Sequence, residues 1–205
     1  MKKKMIFTKY EKSAFTLAEV LITLAIIGVV AALTIPSVVV NNRKQQYVAG
    51  FQKAYTTLNK AIQMSIAENG EVANWNYPAS ATDADQQAFG DKYIAPYLNF
   101  AKNCGVAKGQ GCFKKGHMYK YLDNSNWSIV DNSNAYKIKL ADGMGINFTY
   151  VAGCVENRAA CAGIHVDVNG DKGPNQHGRD VFGFSLLPFT NQVVAHWSKK
   201  MPYVF

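Results

Sequence analysis

The sequence lacks the short motifs that mark common enzyme sites. It contains no His-Glu-x-x-His zinc helix, no nucleophile elbow and no glycine-rich phosphate loop. His165 and His177 flank acidic residues and raise the idea of a zinc hydrolase, but isolated histidines on strands and loops are usually structural. The sequence therefore predicts a protein that is not an enzyme.

Charged residues are missing from the segment between Val20 and Val40. At about 1.5 Å of rise per residue, a helix over this segment would be about 32 Å long, which is enough to cross the core of a bilayer. Residues 1–14 contain five lysines and a single acid, Glu11. Because an excess of lysine marks the cytoplasmic side, we expect a single span with a cytoplasmic N-terminus and the rest of the chain outside.

Glu19 is an acidic residue at the head of this apolar segment. A carboxylate inside a membrane is costly unless it finds a partner, and it is therefore read as functional. Upstream stand a short basic leader, the small residue Ala14 and then Phe15, four residues before Glu19. This arrangement closely resembles the N-terminus of type IV prepilins and of type II secretion pseudopilins.

The resemblance implies how the N-terminus matures. A prepilin peptidase would remove a cytoplasmic leader, residues 1–14, by cutting between Ala14 and Phe15, and would methylate the new amine of Phe15. Residues 15–40 would stay on the mature protein as the transmembrane and filament-core helix. The family usually has glycine where this chain has Ala14, so we expect slower processing at worst.

A secretory signal peptide is the other interpretation of the N-terminus. Val30-Ala31-Ala32 would be an acceptable small-residue cleavage site. A carboxylate at the head of the apolar region fits such a peptide poorly, so we favour the prepilin interpretation.

The resemblance also assigns roles in filament assembly to Phe15, Glu19, Gly28 and Pro36. Glu19 of an incoming subunit would neutralise the Phe15 amine of its neighbour, because either charge is costly when it is buried alone. Gly28 and Pro36 would bracket a stretch that can lose helical order when subunits pack. An ordinary proline kink in a membrane helix is the alternative for Pro36.

Residues 41–70 continue the helical pattern with an amphipathic character. Apolar residues recur every three or four positions among Gln, Lys and Asn, and Asn69-Gly70 ends the pattern. We expect these apolar residues to pack against a globular head; they are Tyr47, Phe51, Tyr55, Leu58, Ile62 and Ile66.

Residues 71–205 suffice for one small extracytoplasmic head. A short helix is expected within 84–100, and alternation over 136–140 and 146–150 predicts a hairpin. Two more strands are expected over residues 164–168 and 181–186. The predicted fold is α+β and pilin-like, with a long N-terminal helix packed on a small antiparallel sheet of about four strands.

All four cysteines lie beyond the span, on the side where disulfides persist. Spacing favours Cys104 with Cys112 and Cys154 with Cys161, although four cysteines allow three connectivities. A Cys₄ zinc site is the alternative, but the gaps are longer than those between paired zinc ligands.

Residues 167–180 contain several side chains whose oxygens could ligate a metal ion. Asp167, Asn169 and Asp171 stand at alternate positions, as in the first half of a calcium loop, and Asp180 would add a later carboxylate. Lys172 replaces the glycine that an EF-hand requires, and the loop looks more like the calcium loops of major pseudopilins. We expect bound calcium here; a metal-free turn rich in Asp, Asn, Gly and Pro is the alternative.

Between Lys92 and Leu122 the chain has six lysines and no acid, with aromatic residues interleaved. Such a segment can bind DNA through phosphate contacts and base stacking. A solvated face with the aromatic rings turned into the core is the favoured alternative, because no nucleic-acid-binding motif accompanies the segment.

The expected function follows from these features and the resemblance. The chain would be a structural subunit of a type IV pilus or a type II secretion pseudopilus, with other pilin or pseudopilin subunits as partners. It would cross the inner membrane once, with its head periplasmic or in an extracellular filament. The alternatives are a DNA-binding minor pilin of a DNA-uptake system and a membrane-anchored extracytoplasmic domain that never polymerises.

Overall fold

The computed structural model describes residues 15–114, 119–127, 131, 134–157 and 159–196. The chain forms two compact units, Met1–Lys44 and Gln45–Phe205. One helix, α1 (Leu17–Asn69), begins in the first unit and ends in the second. Gly70, at a φ of +79°, ends the helix where the sequence predicts.

In the first unit, α1 is apolar and its side chains are exposed. By length and composition, the helix is long and apolar enough to cross a membrane. The helix continues through Pro36, where the hydroxyls of Thr34 and Ser37 donate to nearby backbone carbonyls. The loss of helical order implied between Gly28 and Pro36 concerns packed subunits and stays a prediction.

In the second unit, α1 supplies one side of the hydrophobic core. Leu58 and Ile62 are buried, and the ring of Phe51 stacks on Phe184 at 5.4 Å between centroids. Tyr55 belongs to the predicted apolar stripe but is 41 % exposed. The stripe therefore packs as expected except at this one residue.

The second helix is α2 (Asp83–Tyr93). Its N-terminus is a capping box: the Thr82 hydroxyl accepts from the Asp85 amide, and the Asp85 carboxylate accepts from the Thr82 amide. The helix ends before Pro96, and a 3₁₀ turn over Ala95–Tyr97 follows. The proline thus limits the helix, because the residue before a proline disfavours helical dihedral angles.

The main sheet has six antiparallel strands in the spatial order β1-β4-β5-β6-β7-β8, and β2 and β3 form a separate hairpin. The strands are β1 (Phe100–Gly105), β2 (Tyr119–Lys120), β3 (Asn126–Trp127), β4 (Tyr136–Leu140), β5 (Gly145–Tyr150), β6 (Ala162–Asp167), β7 (Val181–Leu187) and β8 (Gln192–Ala195). The α+β fold with a long helix and a small antiparallel sheet is confirmed.

The expected number of strands was too low because both edges of the sheet were missed. Strand β1 has four exposed residues, and its pairing with β4 is interrupted by register shifts, so it shows no alternation of apolar and polar residues. Strand β8 has only four residues. Its edge is covered by α1, because the Asn59 amide group both donates to and accepts from the backbone of Val193.

The two faces of the sheet have different partners. Ile164 and Val166 belong to the core that includes α1, while His165 between them points to the opposite face. There the Trp127 ring of the β2–β3 hairpin lies 4.9 Å from the His165 ring and 4.4 Å from the His177 ring. The hairpin therefore covers the second face near the predicted calcium loop.

Candidate functional site

The N-terminus of α1 holds Glu19 in a capping box with Thr16. The backbone N and the hydroxyl of Thr16 donate to Glu19 Oε2 at 2.8 and 2.9 Å, and the Glu19 amide donates to the Thr16 hydroxyl at 3.2 Å. The box satisfies helix N–H groups that would otherwise lack a partner. Within one chain, the carboxylate that the sequence singles out is thus engaged by Thr16.

Thr16 was missed by sequence reasoning, although a signal was present. Thr16 and Glu19 have the spacing of the capping-box pattern directly before an apolar run. Phe15 precedes the box and is 87 % exposed. Ala14, the other predicted processing residue, lies outside the described residues.

The predicted calcium loop begins with Asp167, which is fully buried at the end of β6. Its Oδ1 accepts from the amides of Asn169 and Gly170 at 3.2 and 2.9 Å, and its Oδ2 accepts from the Tyr119 hydroxyl at 2.8 Å. Burial raises the pKa of Asp167 to about 7, although these hydrogen bonds act in the opposite direction. Both carboxylate oxygens are therefore already engaged by donors.

Asp180 is also fully buried, and it accepts hydrogen bonds from the loop itself. Its Oδ1 accepts from the Gln176 amide at 2.7 Å, and its Oδ2 accepts from the Asn175 amide at 2.8 Å and from Asn169 Nδ2 at 3.1 Å. Burial raises the pKa of this carboxyl as well. The N–H groups of the loop thus converge on this carboxyl group.

The remaining predicted ligands do not complete a cage. Asp171 is exposed and forms a 2.8 Å salt bridge with Lys139. Among the described residues, Asn169 Oδ1 and both polar side-chain atoms of Asn175 are buried without a hydrogen-bond partner. The orphaned Asn175 Nδ2 is a donor and cannot ligate a cation, whereas the orphaned Oδ1 atoms of Asn169 and Asn175 are acceptors of the kind that calcium binds.

The described side chains of this loop therefore supply candidate oxygen ligands but not a complete calcium site. Within the part of the chain that the structure describes, no group of three or more His, Cys, Asp or Glu side chains is placed to hold a metal ion. The four predicted ligands lie in one loop, and Asn169 contacts Asp167 through its backbone amide and Asp180 through its side-chain amide. Calcium binding stays a prediction.

Two disulfides join the cysteine pairs that spacing favours. Cys104 bonds Cys112, and Cys154 bonds Cys161. All four cysteines are thereby used, and the described residues contain no free cysteine. The first bridge closes the turn after β1, and the second closes the loop between β5 and β6.

The lysine-rich segment exposes its charges more than its rings. Lys102, Lys108 and Lys120 are exposed, whereas the rings of Tyr93, Phe113 and Tyr119 are buried. Tyr97 and Tyr121 are half-buried, and Phe100 is 40 % exposed. Lys115 lies outside the described residues. The segment thus offers phosphate contacts but little of the stacking platform that single-stranded DNA requires.

His165 and His177 pack as part of the second face of the sheet. Their rings lie 5.8 Å apart, and both contact Trp127. Burial lowers the pKa of each to about 4, so both are neutral at physiological pH. The two rings thus pack between the sheet and the Trp127 ring of the hairpin.

The comparisons with known proteins give two family matches. Residues 37–204, most of the chain, match a family of unknown function, DUF6613. Residues 11–35 match the prokaryotic N-terminal methylation motif, a range that contains Ala14, Phe15, Thr16 and Glu19. No curated protein and no solved structure matches the chain.

Proposed function

We propose that the chain is a structural subunit of a type IV pilus or a type II secretion pseudopilus. It belongs to the DUF6613 family of unknown function. Its methylation motif makes it a type IV pilin-like prepilin. The motif implies processing by a prepilin peptidase and assembly with other pilin subunits. In this proposal the leader is cytoplasmic, α1 crosses the inner membrane, and the head lies in the periplasm or in an extracellular filament.

The observation that carries the proposal is Glu19 at the head of the uncharged apolar segment of α1, Val20 to Val40. Cleavage before Phe15 would turn a neutral amide nitrogen into an amine, which is positively charged at neutral pH. Both charges are costly in an apolar environment, and each removes that cost for the other. The pairing of one subunit's amine with a neighbour's carboxylate would set the axial position of subunits in a filament.

The capping box supports an ordered exchange of partners for Glu19. The box uses the backbone N and hydroxyl of Thr16, and cleavage before Phe15 changes neither group. A monomer in the membrane therefore keeps its carboxylate hydrogen-bonded after maturation. In a low-dielectric environment an ion pair is stronger than a hydrogen bond to a neutral donor, so a neighbour's amine would compete successfully for Glu19.

The mature N-terminus tests this proposal directly. We expect mass spectrometry of protein purified from membranes to find N-methylated Phe15 as the first residue, with the apolar part of α1 retained. Protein made without the prepilin peptidase is the control and should keep the leader, residues 1–14. A mature N-terminus near Ala32 or Leu33 would instead establish a signal peptide and contradict the filament role.

DNA binding is the alternative that the lysine-rich segment raises. We expect the detergent-solubilised protein to form no stable complex with DNA in a gel-shift experiment at physiological salt, because Tyr93, Phe113 and Tyr119 are buried. A complex that weakens steeply with salt, and that is lost when Lys108 and Lys120 are both replaced by alanine, would contradict this expectation.

A further inference from the structure

The buried carboxylates of the loop that follows β6 connect several elements of the head. Asp167 accepts from the Tyr119 hydroxyl, and Tyr119 belongs to the β2–β3 hairpin. The backbone of Lys120, the other β2 residue, donates to Asn175 O at 3.1 Å and accepts from the His177 amide at 2.8 Å. The hairpin is therefore joined to the loop by one carboxylate and by main-chain hydrogen bonds on both sides of Lys120.

The same loop also contacts α1 and the turn between β4 and β5. A Cβ atom at Gly50 of α1 would lie 2.9 Å from Val168 Cβ, so the helix and the loop are as close as glycine allows. The backbone of Gly170, at a φ of +62°, lies against the backbone of Gly143. Close main-chain contacts of this kind require the loop to keep one conformation.

Asp180 sets that conformation. Its carboxylate accepts from two consecutive backbone amides, Asn175 and Gln176, and its own carbonyl accepts from the Val168 amide at 2.9 Å. Asn169 Nδ2 adds a third donor to the carboxylate. Because these donors come from both ends of the loop, the side chain closes the loop on itself, as a bound anion would.

We propose that Asp167 and Asp180 form a cation-independent latch, in which the two carboxylates hold residues 167–180 and the β2–β3 hairpin on the sheet by accepting hydrogen bonds. In this proposal Asp167 and Asp180 act as internal hydrogen-bond acceptors and not as metal ligands. Asp171, which is exposed and paired with Lys139, is not part of the latch.

The latch predicts a response to calcium that differs from that of a metal site. The test is thermal unfolding of the full-length protein in detergent, followed by tryptophan fluorescence, with excess chelator and with millimolar calcium. We expect the wild-type curves to coincide. Asp180→Asn should lower the melting temperature by about 5 to 10 °C to the same extent in both conditions, because one of the two oxygens that accept from backbone amides becomes an NH₂ donor.

Asp171→Asn is the matched control, since it removes another carboxylate that the sequence predicts as a ligand. As an exposed residue it should change the melting temperature by less than about 2 °C in either condition. If calcium raises the melting temperature of the wild type by several degrees, and if Asp171→Asn and Asp180→Asn both abolish that rise, then the loop is a metal site and the latch is wrong.

Two further measurements decide the matter if Asp180→Asn does not fold. Tyr119→Phe keeps the ring and removes one donor to Asp167, so it should give a smaller fall in melting temperature that calcium does not change. In the wild type, hydrogen exchange at the amides of Asn175 and Gln176 should be equally slow with chelator and with calcium. Protection of these amides only in the presence of calcium would overturn the proposal. Neither outcome depends on filament assembly, which the mature N-terminus tests separately.

Discussion

Glu19→Gln is expected to abolish filament assembly while leaving the start of α1 intact. Glutamine at this position of a capping box can accept from Thr16 as glutamate does, so the helix N-terminus should persist. The substitution removes only the negative charge. An incoming subunit could then no longer neutralise its neighbour's amine. An unpaired buried charge costs about several kcal/mol. This cost corresponds to a fall in the amount of assembled filament of roughly a hundredfold or more.

Membrane fractions and sheared filaments, probed with an antibody to the head, would measure this loss. Membrane insertion and leader cleavage should stay close to wild type, because neither needs the charge. Thr16→Val is the matched control: it removes the hydroxyl from the box and keeps the Glu19 carboxylate, so we expect filaments to form with a modest reduction. Normal assembly of Glu19→Gln together with failure of Thr16→Val would show that the cap, and not the charge, is what assembly requires.

The sequence predicted best the features that depend on local spacing. The end of α1 at Asn69, the hairpin of β4 and β5 and the two disulfides follow from a glycine, an alternation and short gaps between cysteines. Each of these signals lies within about ten residues of the chain. Local signals of this kind survive folding because tertiary contacts reinforce them.

The features that the sequence did not predict depend on contacts between distant residues or on backbone direction. Strand β1 pairs irregularly and exposes most of its side chains, so its apolar period is lost. The Asp180 carboxylate is surrounded by backbone amides, and their direction follows from loop dihedrals that composition does not reveal. Asp, Asn and Gly in this order are compatible with a calcium loop or with a self-closed turn, and the sequence alone does not distinguish the two.

Gly90→Ala is expected to destabilise the head strongly, although alanine normally stabilises a helix. In the middle of an exposed helix this substitution should be favourable by about 1 kcal/mol. Here Gly90 of α2 lies directly against the ring of Tyr136, and a methyl group at this position would overlap the ring. Tyr136 is 1 % exposed, and its hydroxyl donates to Asp91 and accepts from Asn103, so the ring has little freedom to move away.

The overlap should therefore reverse the sign expected from helix propensity. Overpacking in a fixed core costs about 1 to 3 kcal/mol of the free energy of unfolding. Because two hydrogen bonds hold the Tyr136 ring in place, we expect Gly90→Ala to lie at the upper end of this range. That cost corresponds to a fall in melting temperature of roughly 6 to 12 °C. Tryptophan fluorescence reports this transition, because all three tryptophans lie after residue 70. Gly163→Ala is the control: a Cβ there would have no atom within 4 Å, so its melting temperature should stay within about 3 °C of wild type.

Combining Gly90→Ala with Tyr136→Leu, which removes the overlapping ring, should cost less than the sum of the two single changes, because the overlap occurs only once. Simple additivity of the two changes, or a melting temperature of Gly90→Ala above that of the wild type, would show that α2 does not pack on β4 as described.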